Sequence, residues 1–408
     1  MELEAAPPVI PAPANHRRII TSVVGITQIL TWGSSNYLLA VLSAPISADT
    51  GWPLPWVVGG QTVGLLVASA ISPQVGKLID RHGGRPVLAA SIVVLALGLF
   101  VLASAPNLAV YVVAWVMLGL GMGAGLYDAA FATLGRYFGS AARPTITTVT
   151  LFGGFASTLS WPVTAYLSGH LGWRGACAGL AAIDVVVALP LLLGLLPPIP
   201  VRRADLIVDA PSAGVDGRER LAFLVLAVVQ IAAGATTAIV SVHLLTLLQD
   251  RGITLANAVA LGALIGPSQV AARVIEMAGG SRYHPLWTLT AAMILVVTGI
   301  TMLWSEISGM AFALVLYGAG NGIYSIARGA VPLVLFGPER YARLVGKLAA
   351  PGLLAQAISP PAAAFVLAEA GAAMTFALLL VLAVVALLLV VVLWFVAPRN
   401  ATRIPRTS

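Results

Sequence analysis

The sequence predicts an all-α membrane protein in which twelve transmembrane helices form two pseudo-symmetric six-helix bundles. Of the 408 residues, 59% are hydrophobic and only 9% are charged, whereas a soluble domain carries about 25% charged residues. Several apolar runs exceed the roughly 20 residues that a helix needs to cross the hydrocarbon core. An internal repeat, offset by about half the chain length, divides these runs into two equal sets. We therefore expect lipid to cover most of the surface.

Apolar runs separated by polar breaks place the individual spans. The stretch from Met374 to Val396 is apolar all round, which excludes a transmembrane barrel because barrel strands alternate apolar and polar residues. The predicted spans are residues 19–42, 53–76, 87–104, 109–134, 145–167, 175–196, 220–243, 255–277, 287–304, 309–334, 345–368 and 373–397. The expected organisation is an N-terminal tail (1–18), an N-terminal bundle (19–196), a central loop (197–219), a C-terminal bundle (220–397) and a C-terminal tail (398–408).

Most of the basic residues fall on one side of the predicted membrane. The net charge is +7, from 22 basic and 15 acidic residues. Eighteen of the 22 lie on the side of both termini, whereas Arg174 and Arg251 lie on the other side and Arg273 and Arg328 lie within spans. Because Lys and Arg mark cytoplasmic loops, we expect both termini in the cytoplasm. The basicity therefore indicates topology and not a nucleic-acid partner.

A glycine-rich motif occurs once in each half. The segment GMGAGLY from Gly121 to Tyr127, in the fourth span, recurs as GAGNGIY from Gly318 to Tyr324 in the tenth, at an offset of 197 residues. Parallel repeats of six spans enclose a site near the middle of the membrane. We therefore expect a cavity between the two halves.

The most specific motif lies between the second and third spans. Residues Gly76 to Leu88 read GKLIDRHGGRPVL. Together with the span count and the repeat, this segment resembles the loop motif G-x-L-x-D-R-x-G-R-R of the major facilitator superfamily of secondary transporters. The resemblance covers nearly the whole chain and implies the major facilitator fold, alternating access by rocking of the halves, and a latch that closes the cytoplasmic face. The implied latch residues are Gly76, Asp80, Arg81, Gly84 and Arg85.

Physical chemistry gives each latch residue a role. Gly76 permits close helix packing, and the glycine pair at residues 83 and 84 permits a tight turn. Asp80 can cap a neighbouring helix N-terminus. We expect Arg81 and Arg85 to pair with carboxylates.

A finer resemblance is to bacterial carriers of the monocarboxylate and oxalate/formate group. It rests on Trp32 and Gly33 in the first span, on Gly51-Trp52 before the second span, and on Leu126-Tyr127-Asp128 in the fourth. It implies that Tyr127 and Tyr324 hydrogen-bond a small carboxylate, since Tyr is a neutral donor on a rigid ring. Helix packing is the alternative for both tyrosines.

These carriers place an arginine in the eighth span at a position near Ser268 of this chain. The nearest arginine here is Arg273, three residues before Glu276. Arg273 is therefore a candidate substrate ligand, or else a snorkelling or latch residue. Gln269 and Asn321 can supply uncharged hydrogen bonds to a substrate or between helices.

Two charged residues lie in the fourth and tenth spans, and each is a functional hypothesis because an unpaired charge in a span costs several kcal/mol. Asp128 and Arg328 are expected to form a gate across the cavity, or Asp128 to carry a coupled proton. Alternatively, Asp128 belongs to a charge network with Arg81 or Arg85. Arg328 follows Tyr324 by four residues and shares its helix face, so it is the better candidate for a cation that faces an anion.

Three functional interpretations remain open. The first is a proton-coupled carrier of a small organic anion, and the second is an efflux permease for drugs or arsenic- and antimony-type metalloid species. The third is a membrane sensor or scaffold without transport. The sequence has no phosphate cradle or His-Glu metal pattern, and its single cysteine, Cys177, excludes thiolate clusters. We expect no enzyme activity, cofactor or metal, and a monomer in a bacterial inner membrane that binds a small molecule and lipid.

Overall fold

The computed structural model describes residues 14–199, 217–279, 282–305 and 309–397, and within these ranges the chain is helical, with no strand. A 3₁₀ turn follows α6 at Gly139–Ala142, and a π-helical turn separates α8 from α9 at Asp184–Ala188. The α-helices are α1 (Ala14–Gly33), α2 (Leu38–Thr50), α3 (Leu54–His82), α4 (Gly84–Ala103), α5 (Leu108–Gly125), α6 (Tyr127–Phe138), α7 (Arg143–Gly154), α8 (Ala156–Ile183), α9 (Leu189–Leu195), α10 (Gly217–Gln249), α11 (Leu255–Gly262), α12 (Ile265–Gly279), α13 (Pro285–Trp304), α14 (Met310–Phe336) and α15 (Pro338–Val396).

Within the described ranges, eight helical stretches are long and apolar enough to cross a membrane. One of them, Leu108–Leu195, turns back at Gly172 and holds three spans, and Pro338–Val396 turns back at Gly371 and holds two. Both glycines have positive φ, at 68° and 76°, which only glycine adopts without strain. With the interrupted helix α1–α2, this count gives six spans in each half.

The helices extend further than the apolar runs indicated. Helix α3 continues to His82, six residues beyond the predicted end of the second span, and α4 begins at Gly84. The predicted latch segment is therefore helical, and Gly83 alone forms the turn with φ at 82°. Of the predicted tails and central loop, residues 1–13, 200–216 and 398–408 lie outside the described residues.

The buried apolar side chains form four clusters, two in each half. We call the end of the bundle where α3 meets α4 the motif end, and the other end the opposite end. The N-terminal cluster at the motif end also contains four residues of the second half, namely Leu333, Tyr341, Ala342 and Val345. The two halves therefore share one apolar core at this end.

Helices α3 and α15 are in close contact from the motif end to the middle of the bundle. A Cβ on Gly76 would lie 2.5 Å from the Ala342 carbonyl oxygen, and a Cβ on Gly346 would lie 2.4 Å from that of Ser72. Further along, Ser69 Oγ donates a hydrogen bond of 2.8 Å to a carbonyl of α15. Small residues allow the helix backbones to approach in this way, and the halves are closed at the motif end.

Candidate functional site

A cavity of about 440 Å³ lies between the halves at mid-bundle. Both halves contribute to it, through α3, the α5–α6 junction and the end of α1 on one side and through α14 and α15 on the other. Seven of its eleven lining residues are apolar, and the others supply one acidic, one basic and two amide side chains. The lining residues are Trp32, Asn36, Leu65, Ala68, Met122, Gly123, Leu126, Asp128, Arg328, Leu353 and Gln356.

An ion pair between the halves forms part of the cavity wall. Arg328 Nη2 donates to Asp128 Oδ2, and the two side chains are only 17% and 16% exposed. Leu126 has a non-helical ψ of −167°, so a new helix starts just before Asp128. The carboxylate therefore lies in the first turn of α6, where the helix dipole favours a negative charge.

The Arg328 guanidinium retains hydrogen-bonding capacity. Its Nε is buried and has no hydrogen-bond partner among the described residues, although buried donors are almost always paired. A guanidinium can present two parallel N–H groups to one carboxylate. The site therefore contains a cation that can bind a further oxygen. The structure places Asp128 with this arginine across the cavity, and not with Arg81 or Arg85.

The two candidate tyrosines lie in different surroundings. Tyr127 is buried, its hydroxyl donates to the Thr150 carbonyl at 3.4 Å, and its ring stacks on Phe131. Tyr324 lines a smaller cavity, of about 270 Å³, inside the second half. Neither tyrosine is among the described residues that line the cavity between the halves. These positions favour packing over direct contact with a solute in that cavity.

The packing of the repeated glycines corrects the register of the repeat. Gly121 packs on α4, and its structural counterpart is Gly320, which packs on α13. Gly123 packs on α3, and its counterpart Gly322 packs on α12. Both pairs differ by 199 residues, two more than the sequence motif suggested. Glycines two apart face opposite neighbours, so a shift of two preserves the glycine pattern but makes Tyr127 and Tyr324 non-equivalent.

Arg273 joins the halves and is buried, with 5% exposure. Its Nη1 donates to the Thr150 carbonyl of the first half at 2.8 Å, and its Nε donates to the Gly322 carbonyl at 3.2 Å. This geometry corresponds to the latch alternative and not to snorkelling. Of the two amides predicted with it, Asn321 accepts a hydrogen bond from Thr237 in the smaller cavity, and the Gln269 backbone packs against Gly322.

The predicted latch residues contact several elements at the motif end. Asp80 is buried and accepts a 2.5 Å hydrogen bond from Arg343 Nε of the second half. Gly84 packs on Thr133, because a Cβ there would lie 2.0 Å from Thr133 Oγ1. Arg81 is exposed.

The expectation for Arg85 needs correction. Its Nη2 donates to the Leu193 carbonyl at 2.6 Å, whereas we expected a carboxylate partner. The carbonyl lies near the C-terminus of α9, where unpaired helix carbonyls attract cations. Arg85 thus ties α4 to α9 within the first half.

A second ion pair between the halves was missed in the sequence. Arg143 Nη2 lies 3.5 Å from Glu276 Oε1, and Glu276 also accepts a 2.7 Å hydrogen bond from Thr288. Glu276 follows Asp80 by 196 residues and Arg343 follows Arg143 by 200 residues, and both spacings are close to the offset of the repeat. That offset was the available signal. The motif end is therefore closed by two related ion pairs.

No group of three His, Cys, Asp or Glu side chains that could hold a metal ion occurs in the described ranges. Asp184 is buried at the π-helical turn, next to exposed valines of the outer surface. His243 Nε2 lies 2.8 Å from the Pro360 carbonyl. Both residues lie outside the lining of the cavity between the halves.

Comparison with known proteins gives consistent matches. The family model described as Major Facilitator Superfamily matches residues 24–283. A protein named monocarboxylate transporter 11 is 30% identical in its human form, over 56% of this chain and 47% of that protein, and 34% identical in mouse, over 34% and 29%. The chain therefore covers about half or less of the curated relatives it matches.

The fold resembles solved membrane proteins along almost its entire length. The human organic anion transporter MFSD10 (TETRAN) superposes with a TM-score of 0.72 at 18% identity, over 93% of this chain and 100% of that chain. The Escherichia coli fucose:proton symporter FucP superposes with a TM-score of 0.72 at 15% identity, over 94% and 99%. At these identities the likeness shows the fold alone.

Proposed function

Because the chain belongs to the Major Facilitator Superfamily, and is thus a multi-pass membrane transporter and not an enzyme, we propose that it carries a small organic anion of the monocarboxylate type together with a proton. The name of the curated relatives supports an anionic solute. The charged side chains of the cavity point to the same class of solute.

The ion pair of Asp128 and Arg328 carries the proposal. Both side chains line the cavity, and Arg328 Nε is buried with no partner among the described residues. A carboxylate solute can bind the guanidinium through two parallel hydrogen bonds, and the nearby amide of Gln356 can supply a further donor. A neutral solute would gain no such charge-assisted contact.

Proton coupling follows from competition for one guanidinium. When a solute carboxylate takes the place of Asp128 on Arg328, the Asp128 carboxylate is left without its counter-ion in a cavity of low dielectric. An unpaired charge there costs several kcal/mol. Asp128 therefore takes up a proton as the anion binds and releases it as the anion leaves, so that one proton and one anion move together.

Alternating access supplies the motion. The two bundles, 19–196 and 220–397 by our proposal, separate at the motif end when the pairs Asp80–Arg343 and Arg143–Glu276 break. The distribution of basic residues favours a cytoplasmic motif end, with both termini on that side. In the present state the motif end is closed, and we propose that this is the outward-facing state.

Transport by purified protein in vesicles tests the proposal. We expect uptake of monocarboxylates by the wild type and none by Arg328→Gln. Breaking a buried pair costs about 3–5 kcal/mol, so the doubly neutral variant Asp128→Asn with Arg328→Gln serves as a folded reference that also lacks uptake. Arg174→Gln breaks an exposed pair with Asp49, 44% and 52% exposed, and should leave uptake unchanged. Monocarboxylate uptake by the doubly neutral variant would refute the proposal.

A further inference from the structure

The lining of the central cavity divides into two chemical classes. Asp128 and Arg328 form the charged part, and Asn36 and Gln356 add two amides. The other lining residues present apolar surface, namely Trp32, Leu65, Ala68, Met122, Gly123, Leu126 and Leu353. The described lining holds one cation, so a second carboxylate on the solute would lose water without gaining a counter-ion. The lining therefore matches one carboxylate attached to an apolar body.

Among the described residues of this lining, Trp32 supplies the one aromatic ring, and its orientation is fixed by hydrogen bonds. Its indole Nε1 donates to Gln28 Oε1 at 3.1 Å, and Gln28 Nε2 donates to the Gly125 carbonyl at 2.7 Å. Gln28 is 1% exposed. Because the indole N–H is already paired, Trp32 offers a solute its ring surface and no hydrogen bond.

The ring of Trp32 belongs to a cluster of aromatic contacts. Its centroid lies 4.9 Å from that of Tyr127 and 5.8 Å from that of Tyr37, and Tyr127 in turn stacks on Phe131 at 5.2 Å. The polarizable sulfur of Met122 lies in the same lining. Both ring–ring and sulfur–ring contacts favour an aromatic partner over an aliphatic one of equal size.

We propose, on the basis of the function proposed above, that the carried anion is an aromatic monocarboxylate. Its carboxylate binds Arg328 and its ring lies against Trp32 and Met122. Gln28 acts as a positioning residue, because it holds the indole in place.

Binding of three probes to the purified full chain tests this substrate class: benzoate, cyclohexanecarboxylate of similar size, and acetate. In the wild type we expect benzoate to bind about three- to tenfold more tightly than cyclohexanecarboxylate. Trp32→Leu should remove this preference while leaving acetate affinity within about twofold. Gln28→Leu should reduce the benzoate preference in the same direction. Trp56→Leu, which alters a 65% exposed tryptophan outside the cavity, should change nothing.

The outcomes separate the two proposals. Equal affinities for benzoate and cyclohexanecarboxylate in the wild type, both lost in Arg328→Gln, would overturn the aromatic class and leave the anion carrier intact. An equal loss for all three probes in Trp32→Leu, at wild-type thermal stability, would also overturn it. If none of the carboxylates bound to the wild type, both proposals would fail.

Discussion

Adding one methyl group where α3 meets α15 should shift the conformational equilibrium. In Gly76→Ala, the new Cβ would lie 2.5 Å from the Ala342 carbonyl oxygen, whereas ordinary contact begins at 3.4 Å. The helices must therefore separate by about 0.9 Å at a backbone atom that cannot rotate away. Overpacking of this kind costs about 1–3 kcal/mol, which corresponds to a factor of about 5–150 in an equilibrium. If the closed and open states of the motif end are equally populated in the wild type, the population of the closed state falls from one half to about one sixth or less in Gly76→Ala.

Thiol labelling measures this population. The native cysteine, Cys177, is fully buried, so a cysteine introduced at Leu353 in the cavity wall reports access from the opposite end. Its reaction with a membrane-impermeant maleimide should slow by about threefold or more in Gly76→Ala. Gly59→Ala on the same helix adds a methyl with no atom within 4 Å and should leave the rate unchanged. Equal rates in both variants would show that this contact does not control the state.

Three further substitutions test the contacts at and near the motif end. Asp80→Asn removes a charge-assisted hydrogen bond worth about 1.5–3 kcal/mol. Transport should therefore fall while the purified protein keeps its wild-type circular dichroism spectrum. Unchanged flux would disprove the role of Asp80 in the latch. Glu276→Gln should reduce transport by a similar factor. If only one of the two substitutions reduced transport, the ion pairs Asp80–Arg343 and Arg143–Glu276 would not have related roles. Arg273→Met removes the two buried hydrogen bonds of the guanidinium, each worth about 1.5–3 kcal/mol, so the melting temperature should drop. The exposed Arg282→Met should alter stability by no more than about 0.5 kcal/mol. Equal melting temperatures for these two variants would contradict the buried position of Arg273.

The fold could be predicted because its signals are local. Apolar runs indicate lipid contact wherever they occur, and the G-x-L-x-D-R-type segment at Gly76 predicted the family. The family match and the structural likeness confirm the predicted fold class, and the family match confirms the transporter class. The helix ends were less predictable. Helix α3 continues to His82 because polar residues at the membrane edge remain helical until Gly83 supplies a positive φ.

The partners of the charged residues could not be predicted, because they lie on distant segments. Asp80 meets Arg343 across the halves, and Arg85 meets a carbonyl and not a carboxylate. Neither contact can be recognised from the residues that flank Asp80 or Arg85 in the sequence. The predicted register of the repeat was wrong by two residues. Because the glycines are spaced two residues apart, a shift of two preserves their pattern, and only the packing neighbours distinguish the two alignments. The sequence did single out Asp128 and Arg328, because charges within apolar spans are rare.

Proton uptake upon anion binding is the most direct test of the central claim that a solute carboxylate displaces Asp128 from Arg328. Calorimetric titration with benzoate, in two buffers of different ionisation enthalpy, counts the protons taken up per bound anion. We expect about one proton for the wild type and none for Asp128→Asn, which lacks the group that is protonated. Binding of benzoate by the wild type without proton uptake would contradict the account, because it would show that the anion and Asp128 do not compete for Arg328.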